Sequence, residues 1–180
     1  MRAADLSRRQ AQEQGKGNVD WEQRLDALWA SMAAYSEAAF LHAMEALVAE
    51  LPSDSPIAAF ELAGALDSTG REERAVAHYR RALDLGLDGG RRRRAVIQLA
   101  SSLRNVGQAA EGVALLRAEQ EAGADELDDA VSAFLALALV DTGREREAVG
   151  IALAALVPHL PRYRRSLTNY ARELSADPTR

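Results

Sequence analysis

Cysteine is absent from the 180-residue chain. That excludes disulfides and thiolate metal sites, and it makes a reducing cytoplasm the expected setting. Aromatic residues are scarce, at 5%. Long β-branched runs, the usual mark of strands, are missing. No apolar run reaches the ~20 residues of a membrane span; the most apolar stretch, Val149 to Leu160, is too short. The start of the chain has no apolar signal-peptide core, because Ala3, Ala4 and Leu6 are followed at once by Arg8, Arg9 and Gln10. Excess positive charge is lacking too: the net charge is −5. Nucleic-acid binding needs a concentrated basic surface, so it is not expected.

Signatures of chemistry are equally thin. His42, His78 and His159 stand far apart, and none has the i+4 partner of a metal site. No nucleophile elbow or phosphate loop is present. Gly86-Leu87-Asp88-Gly89-Gly90 follows a helical pattern instead of a strand and lacks the lysine, so it reads as a turn. Glu72-Glu73 and Asp128-Asp129 fall at expected helix starts. There they favour the helix dipole by ~0.3–1 kcal/mol each. No catalytic residue, cofactor or metal is expected, and the chain does not read as an enzyme.

What the chain does have is alanine, 48% apolar residues and an internal repeat. The first repeat runs through Leu62, Ala63, Leu66, Gly70, Ala75, Tyr79 and Ala82. The second has Leu99, Ala100, Leu103, Gly107 and Gly112; the third has Leu135, Ala136, Leu139, Gly143, Ala148, Ala152 and Ala155. The glycines step by 37 and then 36 residues. Leucine, alanine and leucine at i, i+1 and i+4 share one helical face. The glycine four residues on can take a left-handed conformation and end the helix. A second amphipathic helix follows. The small residue five positions after each glycine lets the two helices touch. One such pair cannot bury its apolar face alone, but stacked pairs can.

This pattern resembles the tetratricopeptide repeat, in the bacterial variant grouped as group 5, from about Ser55 to Leu160. The second repeat departs from it with Gly112 and Glu119 at alanine positions, and the third with Ala152 at a bulky position. The spacing slightly exceeds the family's ~34 residues. The resemblance implies an all-α, right-handed superhelix of three helix-turn-helix repeats over 55–160. Within one domain, a polar arm (1–19) and a degenerate helix pair (20–52) precede the repeats. Asp20 is the expected cap of that pair's first helix, with Gln23 as its capping-box partner. A capping helix follows over 161–176, and its apolar stripe is expected at Tyr163, Leu167, Tyr170 and Leu174.

The same resemblance implies a protein-binding scaffold whose first helices line a concave groove. The repeat phase maps Ile57, Phe60, Gly64 and Asp67 to that groove from the first repeat. Arg94, Ile97, Ser101, Arg104 and Asn105 come from the second, and Ala133, Leu137, Val140 and Asp141 from the third. Arg94 and Arg104 would fix an anionic group, while Phe60, Ile97 and Leu137 would hold apolar side chains. The expected partner is a protein or peptide. The rival expectation is a homodimer formed through the Trp21/Trp29 helix or the apolar end of the repeats. Arg91-Arg92-Arg93-Arg94 opposes the dipole at a helix start. It is expected either to pair with nearby acids such as Asp84 and Asp88 or to meet an anionic partner.

Overall fold

The computed structural model describes residues 19–176. Of the expected polar arm, residues 1–19, residues 1–18 lie outside the described residues and residue 19 is already helical. All regular elements among the described residues are helices. The chain divides into two compact units, Met1–Ser53 and Asp54–Arg180.

The first unit pairs α1 (residues 19–30) with α2 (Glu37–Val48). Trp21, Leu25, Phe40 and Met44 are buried. The Trp21 indole N–H donates to the Leu47 carbonyl at 3.0 Å, so the large ring is buried without an orphaned donor. Trp29 packs on Phe40 with centroids 5.2 Å apart. Ser36 caps α2, its hydroxyl accepting from the Ala39 amide. The capping role expected of Asp20 is not realised, because Asp20 lies inside α1. It pairs instead with Arg24 one turn on, at 3.3 Å.

The second unit holds α3 (Pro56–Asp67), α4 (Glu72–Asp84), α5 (Gly89–Asn105), α6 (Ala109–Ala122), α7 (Asp128–Asp141), α8 (Glu145–Leu156) and α9 (Arg164–Ser175). Each packs on the next, and α5 also lies beside α3 and α7. This is a stack of helix pairs, as the repeat demands. Ser55 caps α3 by accepting from the Ala58 amide, with Pro56 in the first turn.

The repeat glycines end the first helices. Gly70, Gly107 and Gly143 have φ of 67°, 77° and 73°. The following amide reaches back to the second leucine of the repeat: Arg71 to Leu66 (2.9 Å), Gln108 to Leu103 (2.7 Å) and Arg144 to Leu139 (2.9 Å). This closure satisfies end carbonyls and turns the chain into the second helix. The small-residue positions work as expected. Ala75 and Ala148 are buried. At Gly112, a Cβ would stand 3.1 Å from the Ala100 carbonyl oxygen, so α5 and α6 approach closely there.

Two boundaries differ from expectation. Gly89 and Gly90 belong to the first turn of α5, not to the preceding turn. On α9 the expected stripe is wrong: Tyr163 precedes the helix in a left-handed conformation, and it is exposed, as is Tyr170. The packed face centres on Ala171, with Leu167 and Leu174 partly buried. The reason lies on α8, where a Cβ at Gly150 would come within 2.8 Å of the Ala171 carbonyl oxygen and would also meet Ser175. Helices this close accept alanine at the seam and turn tyrosine outward.

Replacing Ala100 with leucine forces α5 and α6 apart. The expected loss is roughly 1–3 kcal/mol of unfolding free energy, the usual effect of overpacking. Urea unfolding followed by circular dichroism measures it, and an unchanged midpoint contradicts the close seam.

Candidate partner-binding site

The row α3, α5, α7 carries the residues mapped to the groove, and polar contacts run across it. Ser102 Oγ on α5 lies 2.9 Å from Asp67 Oδ1 on α3. Arg91 on α5 pairs with Glu61 on α3 at 3.2 Å. Arg104 on α5 pairs with Asp141 on α7.

The expected groove residues separate into three groups. Phe60 and Ile97 are only 2% and 5% exposed and belong to the core, so their assignment as ligand contacts is corrected. Both are large and apolar on helices flanked by packed neighbours, which draws them inward; Gly64 is buried with them. Arg104 and Asp141 satisfy each other. Arg94, Asn105, Leu137 and Val140 remain exposed, with Leu137 at 45% and Val140 at 46%. Ile57 and Ser101 are partly buried on the same row, and Ala133 is exposed.

The arginine run resolves residue by residue. Arg91 reaches back to Glu61 of the preceding repeat. Arg92 pairs with Glu119 on α6 at 2.8 Å. Arg93 has a side chain only 8% exposed and pairs with Asp125 at 2.8 Å and Asp128 at 2.7 Å. Its Nε stays 3.7 Å from Glu119, beyond hydrogen-bond reach. The partners are acids on neighbouring helices and in the α6–α7 connection, and not the expected Asp84 and Asp88. Glu119, which departs from the repeat's alanine, is buried because two arginines meet it. The one signal for this in the sequence was a charged residue at a small-residue position.

Arg94 behaves differently. Among the described residues it forms no ion pair. Its guanidinium lies over the Phe60 ring, 5.4 Å from the centroid, a cation–π contact that keeps the charge at the surface. The other face of this cluster is Tyr79, fully buried and 6.2 Å from Phe60. Burial pushes the Tyr79 hydroxyl well above the usual phenol range, and the Asp67 and Glu61 charges add to it. Burial also raises the Asp67 carboxyl. The Ser102 hydrogen bond opposes that rise, the Glu72 charge adds to it, and Tyr79 opposes it.

No group of three or more His, Asp or Glu side chains suited to a metal occurs among the described residues. None of the helices described is long and apolar enough to cross a membrane.

Stacked helix pairs with a left-handed glycine closure and a small-residue seam define a helical-repeat interaction module. The family model described as tetratrico peptide repeat, in its group 5 form, matches residues 56–174. The chain belongs to that family. No curated protein and no solved structure matches it.

Two predictions follow from the charges. Arg93→Met leaves Asp125 and Asp128 without their arginine, and its expected cost is roughly 1–3 kcal/mol of stability in urea unfolding. A loss below ~0.5 kcal/mol contradicts a structural role. For Asp67, a folded pKa above the unfolded one means that folding takes up a proton in the window between them. Its contribution is greatest below the unfolded pKa and falls as pH rises through the folded one. Asp67→Asn removes this slope, so the variant gains stability relative to the native chain between acid and neutral pH. Parallel slopes in urea midpoints contradict the raised pKa.

Proposed function

We propose that the chain is a binding scaffold for an extended segment of another protein, laid along α3, α5 and α7. Arg94 takes a carboxylate of that segment, and Leu137 and Val140 on α7 take apolar side chains. Ser101 and Asn105 line the path between them. The observation that carries this reading is the split in the arginine run: three members are engaged by carboxylates, while Arg94 stands exposed over Phe60. A charge of this kind fixes register, and exposed apolar side chains add area. The proposed setting is the cytoplasm, with which a cysteine-free chain is compatible.

A homodimer through α7 is the second reading, and the exposed Leu137 and Val140 favour it. The Trp21/Trp29 helix does not support it, because Trp21 is buried and Trp29 packs on Phe40.

The test uses Arg94→Glu and Leu137→Asp, each alone, because removing Arg104 would also break its pair with Asp141. Affinity capture from native extract is compared across the two variants and the native chain. The expected result is a protein retained by the native chain and at least tenfold depleted with either variant. Equal capture by all three contradicts the groove. Capture of the untagged chain alone, lost in Leu137→Asp, supports the homodimer.

A further inference from the structure

Away from the α3–α5–α7 row, a shallow cleft of about 290 Å³ opens between α8, the short turn Val157–His159 and α9. Ala154, Val157, Pro158 and Ala171 give it a mostly apolar lining, and Thr168 and Arg172 stand on its α9 side. The volume is at the lower end for a small-molecule pocket of ~300–1,000 Å³. It suits one or two apolar side chains better than a whole ligand.

Its surroundings are basic on a chain that is acidic as a whole. Residues 161–176 carry four arginines against one glutamate, a net +3, which leaves −8 on the rest of a chain whose total is −5. Arg165 and Arg172 are seven residues apart, and Thr168 lies between them at i+3. That spacing puts them on one edge of α9, beside the cleft. Both are exposed, and neither forms an ion pair among the described residues. In the repeats most arginines meet a carboxylate, among them Arg80, Arg91, Arg92, Arg93, Arg104 and Arg117; Arg94 is an exception. On a chain with more acids than bases, these two cations stand without an ion pair among the described residues, next to an apolar cleft.

We propose that this cleft is a second docking site, for a protein segment whose apolar side chain is flanked by carboxylates. The apolar side chain fills the space over Ala154 and Ala171, and the carboxylates meet Arg165 and Arg172. The negative charge elsewhere on the chain repels such a segment and directs it to α9. The site is distinct from the α3–α5–α7 row and does not depend on it.

The test titrates the full chain, carrying Arg94→Glu so that the other proposed site is disabled. The probe is a blocked hexapeptide of leucine and phenylalanine with two glutamates on each side. Backbone amide shifts are followed by nuclear magnetic resonance. The expected result is saturable shifts at Ala154, Val157, Ala171 and Arg172. Affinity should fall at least fivefold with Arg165→Glu/Arg172→Glu, and likewise with Ala154→Phe, which fills the cleft from an exposed position without changing charge. Replacing the glutamates of the peptide by glutamines should weaken binding similarly. Absence of saturable shifts in the cleft at millimolar peptide overturns the proposal. So does equal affinity for the native edge and either variant, or equal binding of the glutamine peptide.

Discussion

The close seam between paired helices is the constraint on which the rest of the second unit depends. At Gly112 against Ala100, and again at Gly150 against Ala171, there is no room for a larger side chain. Close approach lets short helices share one core, which none of them could bury alone. The left-handed glycines matter for the same reason. They fix where a first helix stops, and so where the second meets it.

Close packing then decides how charge is handled. A helix start bearing four arginines is unfavourable by its dipole, and α5 tolerates it because acids from both neighbouring repeats converge there. Exposed ion pairs contribute only ~0–1 kcal/mol each. The buried pairing of Arg93 is different, since its charge has little water to return to. Glu61 and Glu119 complete the arrangement from the buried side. Arginine suits this work because its planar fork can meet two carboxylates at once. Arg94, one residue further round the helix, faces outward and escapes the network.

The helix pairs were legible in the sequence because glycine, leucine and alanine recur in phase, and each residue type has one physical use at its position. The arginine network was not legible, because its acids lie about 27 to 35 residues away on other helices. Periodicity says which face a residue occupies, not which neighbour faces it. The same limit explains Phe60 and Ile97, which sit at groove phase but turn far enough inward to join the core. It explains α9 as well. The tyrosine–leucine stripe has good helical spacing, but the tight approach at Gly150 selects the alanine side.

The central claim is that one run of four arginines is divided between holding the repeats together and meeting a partner. Side-chain Nε–Hε spectra of the free protein, assigned at Arg92, Arg93 and Arg94, test it most directly. The account predicts a slowly exchanging, ordered signal for Arg93 and a fast-exchanging, averaged one for Arg94. Equal protection of Arg93 and Arg94, or a freely exchanging Arg93, would contradict it.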